Sequence, residues 1–175
     1  MRAPFESLHN EIVGSLNGLT EEQTQLRPTD SKDKWTIQQI MEHLLLTYSS
    51  TASVVRQRLE KGRPTLSVPT LLQRCQQAVV IRAGYFPKGR HAPPMVTPEA
   101  AYQPLSGAML SERVRKHLEA CDTVLEDAEE RFGVIRVATH HVMGSLTAEQ
   151  WRQFHLVHGR HHVKQIWAIR RSHQV

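Results

Sequence analysis

Four of the 11 histidines in this 175-residue chain lie within eight residues near its C-terminal end, as His155, His158, His161 and His162. Each residue of an α-helix turns by about 100°, so His158 and His162 stand one turn apart on the same face. Two imidazoles with this spacing are a good two-point ligand set for a divalent transition metal. The spacing therefore predicts a metal site on the last helix, with at least one further ligand supplied from elsewhere in the chain.

The further ligand is expected to be His43, which lies on the core-facing stripe of another predicted helix beside Ile40 and Leu44. An imidazole among apolar residues needs a polar partner or a metal. Helix geometry leaves a second triad open, because His155 lies within about 20° of His162 and could replace His43. Histidines also occur as hydrogen-bonded core groups and as solvated groups near helix ends. Spacing alone therefore leaves open the His43 triad, the His155 triad and histidines that bind no metal.

The residues around these histidines suggest supporting roles and no separate catalytic acid or base. Gln165 projects on nearly the same side as His158 and is expected to orient a ligand or a substrate. His161 points about 100° away from His162, so we expect it to be exposed or outside the ligand set. Glu42 faces about 100° away from His43 and is therefore not proposed as a general base. The catalytic residues, apart from the metal ligands, stay unknown at this level.

The apolar periodicity predicts five helical segments and no convincing strand. Capping boxes, in which a Thr is followed three residues later by a Gln, occur at Thr20, Thr36 and Thr147. The first box marks a short turn, and the other two mark the starts of long helices. The predicted helices cover residues 5–19, 36–60, 70–82, 111–131 and 147–172.

A long segment without regular structure is expected between Gly84 and Gly107. Five of the nine prolines of the chain lie in this segment, which excludes a regular helix there. Loops of this length inside a compact domain are typical of lids or binding loops, or of an element that has been wrongly placed. The chain length suits one domain. The residue pattern therefore predicts a single all-α domain over residues 1–175.

Three stretches of the chain resemble the DinB/YfiT-like superfamily: Lys34 to Leu44, His140 to Trp151 and His158 to Ile166. The resemblance covers most of the chain and is specific at the two histidine motifs. It implies a four-helix bundle, here with an extra short helix and a long proline-rich loop. It also implies a homodimer and a zinc or nickel ion, with ligands at the positions of His43, His158 and His162.

The same resemblance implies an activity. Members of that superfamily include S-transferases and isomerases that use bacillithiol, mycothiol or glutathione. The implied function is a metal-dependent enzyme that transfers a low-molecular-weight thiol to an electrophilic small molecule. Arg160 and Arg90, with Lys88 and His91 nearby, are expected to hold the carboxylates of the thiol cofactor. The alternatives are a metal-dependent hydrolase and a non-catalytic metal-binding or stress-associated module.

The composition points to no membrane and no nucleic-acid partner. The net charge is +5 with histidines neutral, but the basic residues are dispersed and many lie at predicted helix ends, where they complement the helix dipole. Charged or polar residues interrupt every apolar stretch well before the ~20 residues that a membrane span needs. Cys75 and Cys121 lack the C-x-x-C spacing and are expected to be small core residues. The N-terminal sequence lacks an apolar signal segment, so we expect a cytoplasmic protein.

Overall fold

The structure of the chain, a computed structural model, describes residues 1–31, 33–65, 67–87, 89, 91–99 and 103–175. Within these residues the chain is predominantly helical, as the sequence predicts, and carries one small sheet. The elements in chain order are α1 (Ala3–Leu16), α2 (Glu21–Thr24), α3 (Ile37–Glu60), α4 (Leu71–Gln77), α5 (Gly107–Phe132), β1 (Arg136–His140), β2 (Gly144–Thr147) and α6 (Ala148–His173). A π-helical turn at Ala78–Arg82 extends α4, and a 3₁₀ turn covers Pro94–Val96.

The three predicted capping boxes are confirmed at the starts of α2, α3 and α6. In each box the threonine hydroxyl accepts from the backbone N–H three residues on, and that glutamine's side chain accepts from the threonine N–H. Thr70 and Gln73 form a fourth box at the start of α4. These caps satisfy N–H groups that the first turn of a helix leaves without partners. They fix where α3 and α6 begin, and therefore how the histidines on each helix face the core.

The long helices α1, α3, α5 and α6 pack against one another around one apolar core. Two glycines allow close approaches between elements. A Cβ at Gly159 on α6 would overlap the Leu8 side chain of α1, and one at Gly107 would overlap the carbonyl oxygen of Leu16. The largest fully buried apolar side chains are Phe5, Leu8, Ile12, Leu16, Ile37, Met41, Leu44, Tyr48, Leu110, Leu118 and Leu125. No helix in the described part of the chain is long and apolar enough to cross a bilayer.

A buried ion-pair network joins α5 to α6 and to the chain just before α1. The Arg152 side chain is fully buried; its Nε donates to Asp122 Oδ1 at 2.7 Å, and its Nη1 donates to Glu129 Oε2 at 3.0 Å. The other Asp122 oxygen accepts from the backbone N–H of Arg2 at 2.6 Å. Because Asp122 is only 2% exposed, its charge depends on these partners rather than on water.

The prediction that the chain contains no strand is wrong, because β1 and β2 form an antiparallel hairpin immediately before α6. The pairing is irregular between Arg136 and Ala138, and Val137 and Ala138 are both buried. This irregularity removes the strict alternation of apolar and polar residues by which a strand is recognised. Strand β2 ends at Thr147, which is also the N-cap of α6. The capping box therefore predicted the start of a helix at the position where the strand ends.

Three other expectations need correction. Helix α5 begins at Gly107, one turn before the predicted Ser111, because the Ser106 hydroxyl accepts from the Met109 N–H and caps it. Helix α1 ends at Leu16 rather than near residue 19. Cys121 is buried in the core as expected, whereas Cys75 is exposed. In the predicted loop at 84–107, the described residues contain the 3₁₀ turn, which contacts α3.

Candidate metal centre

Helices α3 and α6 bring three histidine side chains together in the interior. The Nε2 atom of His158 lies 3.2 Å from Nε2 of His43 and 3.0 Å from Nε2 of His162. One nitrogen from each ring lies within 4.8 Å of the other two. All three residues are buried. This is the His43 triad that spacing left open beside the His155 triad.

The outer ring nitrogens of two of these histidines have fixed hydrogen-bond partners. His43 Nδ1–H donates to the carbonyl oxygen of Val96 at 2.7 Å, and His162 Nδ1–H donates to Gln165 Oε1 at 2.8 Å. Gln165 Nε2 in turn donates to His161 Nε2 at 3.2 Å, which is consistent with the amide orientation. With the hydrogen on Nδ1, His43 and His162 both present a lone pair on Nε2. Outer partners of this kind orient the histidines of metal sites and set their tautomers.

Aromatic rings position the third histidine. The Phe154 ring lies parallel to the His158 ring, with 5.4 Å between centroids and 9° between planes. The Phe86 ring lies 4.8 Å from His158 on a tilted plane. His158 Nδ1 is enclosed and has no hydrogen-bond partner among the described residues. Packing therefore fixes the orientation of His158, whereas hydrogen bonds fix the other two rings.

Burial keeps all three imidazoles neutral. It lowers the pKa of His43 below its usual value, although the hydrogen bond to Val96 opposes this. It lowers the pKa of His162 to about 3, with a smaller contribution from His43. Burial and then the neighbouring His162 and His43 lower the pKa of His158 well below its usual value. Since a metal binds the neutral imidazole, the three side chains are in the ligand form at neutral pH.

The donor set fits a divalent transition metal. In a tetrahedral site with metal–nitrogen bonds of 2.0–2.1 Å, ligand nitrogens stand about 3.4 Å apart, close to the 3.0 and 3.2 Å separations here. The lone pairs of His43 and His162 both face His158 Nε2. A hydrogen on that atom satisfies only one of them, whereas a cation satisfies all three nitrogens at once.

The three histidines line a cavity of about 1430 Å³ whose walls are mainly apolar. Trp35 lies with its ring 5.0 Å from that of His43, and the loop supplies Phe86 and the Val96 segment. Helix α6 and the hairpin supply further lining residues. The apolar lining consists mainly of Trp35, Ile40, Val54, Val79, Val80, Phe86, Met95, Val96, Val142, Met143, Trp151, Phe154 and Ile169. The cavity exceeds the 300–1,000 Å³ of common small-molecule sites, so it has room for two reactants beside the histidines.

His155 does not belong to the described cluster. Its ring is fully buried on α6, and its Nε2 lies 3.1 Å from the Thr51 hydroxyl of α3. Gln165 and His161 both line the cavity. Gln165 accepts from His162 Nδ1–H, and its predicted role in orienting a ligand or a substrate stays a prediction. His161 stands between Gln165 and Phe86 rather than among the clustered nitrogens.

The basic residues that were expected to hold the cofactor's carboxylates are not all found at the cavity. Arg160 forms a two-pronged ion pair with Glu11 of α1, with Nη2 to Oε1 at 2.6 Å and Nε to Oε2 at 3.1 Å. It also donates to the Ser7 hydroxyl, and it is not among the residues that line the cavity. Arg90 and Lys88 lie outside the described residues, whereas His91 lines the cavity. Arg160 therefore holds α1 against α6 in this structure.

Sequence reasoning missed several residues at the site. One is Trp35, whose ring contacts that of His43. The Val96 carbonyl, which orients His43, comes from the proline-rich loop, in which only the basic residues were given a role. His140 lines the cavity at the end of β1, and its pKa is lowered to about 3 by burial and by His141. No local pattern marks Val96 or His140, because each contributes through a contact distant in sequence or through a turn.

Lowering the pH from 7.5 to 5.5 should destabilise the metal-free protein. His140, His155 and His162 each have a pKa of about 3 in the folded chain, mainly because burial disfavours the charged ring. In the unfolded chain their pKa returns to about 6.5. The unfolded state therefore binds more protons between these values, and folding stability falls as the pH falls. From pH 7.5 to 5.5 the three groups together should cost about 4 kcal/mol.

Urea unfolding of chelator-treated protein at pH 7.5, 6.5 and 5.5 measures this loss. A His155→Gln variant serves as the control, because it removes one of the three groups and should reduce the pH dependence by roughly a third. Equal unfolding free energies at pH 7.5 and 5.5 would show that these rings titrate normally in the folded state.

The fold and the site define a helical protein with a buried three-histidine cluster at the wall of a large apolar cavity. The sequence model of the DinB superfamily matches residues 5–166, and the chain therefore belongs to the DinB superfamily. This confirms the resemblance carried by the histidine motifs. No curated protein and no solved structure matches the chain at a significant level.

Proposed function

We propose that the protein is a metal-dependent enzyme that transfers a low-molecular-weight thiol to an electrophilic small molecule. The observation that carries this proposal is the convergence of three neutral Nε2 atoms at the wall of a cavity with room for two reactants. In the proposed site His43, His158 and His162 bind zinc or nickel, both of which accept imidazole ligands. The packing of α1, α3, α5 and α6 supports the four-helix bundle that the family resemblance implies.

Three protein ligands leave a coordination position for a reactant, which is typical of catalytic rather than structural sites. When bound, the metal would lower the pKa of a thiol or water molecule placed in that position. The chain itself supplies orientation: Val96 and Gln165 hold two ligand rings by hydrogen bonds, and Phe154 and Phe86 hold the third by packing. These contacts orient the Nε2 lone pairs of the histidines in the metal-free protein.

The apolar wall of the cavity favours a thiol over water as the nucleophile. Aromatic and aliphatic side chains around the histidines limit the number of water molecules near the reacting atoms. Arg90 and Lys88 stay the predicted cations for the cofactor's carboxylates, and of the loop residues named with them His91 lines the cavity. Arg160 is less suitable, because Glu11 already neutralises it.

A metal-dependent hydrolase is the second candidate. Its support is the donor set itself, since three histidines are also the ligands of zinc in carbonic anhydrase, where the reacting group is water. A non-catalytic metal-binding module has less support, because the cluster lines a large cavity instead of being closed off. The homodimer, the cytoplasmic location and the absence of a nucleic-acid partner stay predictions.

The deciding experiment measures the rate at which 1-chloro-2,4-dinitrobenzene is consumed by untagged protein loaded with zinc or nickel. A panel of thiols that includes glutathione, bacillithiol and mycothiol is supplied as the second reactant. In the expected reaction a carbon–sulfur bond forms, the carbon–chlorine bond breaks, chloride leaves and the thiol proton passes to buffer. Consumption above the uncatalysed rate should require both metal and thiol and should be lost in His43→Ala. Turnover of ester substrates without thiol would favour the hydrolase. Metal binding without either activity would favour the non-catalytic module.

A further inference from the structure

The side chain of His140 is held in one tautomer by the hairpin turn. Its Nδ1 accepts from the backbone N–H of Val142 at 3.1 Å and of Met143 at 3.2 Å. An imidazole nitrogen that accepts two N–H groups carries no hydrogen of its own. The hydrogen of the neutral ring is therefore on Nε2, which makes that atom a hydrogen-bond donor.

The donor at Nε2 is free to serve a ligand. Within the described part of the chain no acceptor pairs with it, and it is not one of the enclosed polar atoms that lack a partner. His140 lines the cavity, so a ligand bound there is the natural acceptor for Nε2–H. A neutral N–H in a mainly apolar wall suits an uncharged acceptor, because it adds direction without the cost of burying a charge.

His140 stands one aromatic ring away from the histidine cluster. Its ring centroid lies 4.7 Å from that of Phe154, which also contacts the parallel ring of His158. Trp151 contacts His140 at 5.4 Å between centroids. Phe154 and Trp151 therefore offer aromatic contacts to a planar molecule between the cluster and His140.

The charged groups on the described walls are few and come from the segment before α3. Asp30, Asp33 and Lys34 line the cavity from the segment before α3, and Lys34 Nζ pairs with Asp30 at 3.1 Å. The other titratable groups on the described walls are the histidines and Cys75. His140 itself is in contact with three rings, those of Trp151, Phe154 and His141, and its Nε2–H adds one directed hydrogen bond to these contacts.

We propose that the electrophilic substrate is a bulky, uncharged aromatic molecule whose carbonyl-type oxygen accepts a hydrogen bond from His140 Nε2. This proposal rests on the proposed function in taking the cavity as the substrate site, but it concerns the hairpin side and not the metal. Burial and His141 lower the pKa of His140, which agrees with a group that binds as a neutral donor. His140 thereby positions the substrate in the cavity.

The test uses two rigid tricyclic probes of nearly equal shape, 9-fluorenone and fluorene, of which only the first carries a carbonyl oxygen. Binding is measured by quenching of tryptophan fluorescence, since Trp35 and Trp151 both line the cavity. Wild-type protein should bind fluorenone about 3- to 10-fold more tightly than fluorene, the effect of one hydrogen bond. The same preference should appear in protein stripped of metal by a chelator.

The matched variant is His140→Asn. An asparagine Oδ1 can take the place of Nδ1 and accept from the Val142 and Met143 N–H groups, so the turn is kept while the Nε2 donor is lost. We expect this variant to bind both probes equally, with fluorene affinity unchanged. As a measurement that needs no variant, the infrared carbonyl stretch of fluorenone should move to lower frequency in the wild-type complex than in an apolar solvent.

Three outcomes would overturn the proposal: a fluorenone preference that survives in His140→Asn, an unshifted carbonyl stretch, or no binding of either probe. A preference that requires metal would also overturn it, because the carbonyl would then be bound by the ion. None of these measurements uses turnover or metal loading as its readout. Failure of the proposed thiol transfer is therefore distinguishable from failure of this inference.

Discussion

Untagged protein should bind about one zinc or nickel ion per chain, and His43→Ala and His158→Ala should each weaken that binding by more than about 100-fold. The expected size follows from the loss of a direct ligand, since removal of an outer hydrogen-bond partner alone costs 10–100-fold. His43 and His158 lie on different helices, and their Nε2 atoms are 3.2 Å apart. Metal content by elemental analysis, with affinity from cobalt titration, measures the loss.

The matched control for this prediction is His155→Gln. His155 is as deeply buried as the clustered histidines and lies on the same helix, but its Nε2 contacts the Thr51 hydroxyl. The variant should keep its metal. Metal retained in His43→Ala and lost in His155→Gln would instead support the triad confined to α6. Circular dichroism of each variant separates metal loss from unfolding.

Gln165→Leu should weaken metal binding less than the loss of a ligand does, and it tests the hydrogen bond that orients the His162 ring. The Gln165 amide accepts from His162 Nδ1–H and donates to His161, so its loss frees the His162 ring to reorient without removing a ligand. The affinity should fall by roughly 10–100-fold while the number of bound ions stays at about one per chain. An unchanged affinity would mean that packing alone orients His162.

The histidine cluster could be predicted from the sequence because its signals are local. The i,i+4 spacing of His158 and His162 places both rings on one helix face, and the stripe around His43 places that ring in the core. The caps at Thr36 and Thr147 made the starts of both helices readable. What spacing could not settle was the third member, since only the packing of α3 on α6 decides between His43 and His155.

The contacts that sequence reasoning missed have no local signal. Arg160 pairs with Glu11, which lies 149 positions earlier in the chain. The local sequence could not predict this ion pair, because it forms only when α1 packs against α6. Ser106 caps α5 without a Glu or Gln three residues later, and the absence of that partner hid the true start of the helix. Cys75 is exposed because α4 has no buried residues.

The β1–β2 hairpin was missed for a related reason: the strands are present, but the sequence pattern that marks a strand is absent. Its burial does not alternate, because the pairing is irregular in β1 and because β2 is short and nearly enclosed. A pattern of period two is therefore missing where a strand exists. The hairpin matters because its turn directs His140 into the cavity wall, so the unpredicted element carries an unpredicted candidate for substrate binding.

Arg152→Met should destabilise the protein by about 3–5 kcal/mol, the usual cost of removing one partner of a buried ion pair. Methionine fills most of the space but leaves the carboxylate of Asp122, which is 2% exposed, without its 2.7 Å charged partner. The backbone N–H of Arg2 continues to donate to the other Asp122 oxygen, and one such bond does not offset the buried charge. Urea unfolding of metal-free protein at pH 7.5, compared with wild type at the same m-value, measures the change.

Two further variants show whether the uncompensated charge is the cause. Arg152→Met combined with Asp122→Asn removes the charge and keeps an oxygen that can accept from the Arg2 N–H, so the double variant should be more stable than Arg152→Met alone. Arg115→Met breaks an exposed pair with Glu119 and should change stability by less than about 0.5 kcal/mol. A double variant as unstable as the single one would attribute the loss to the packing of the Arg152 side chain between α5 and α6, and not to the charge of Asp122.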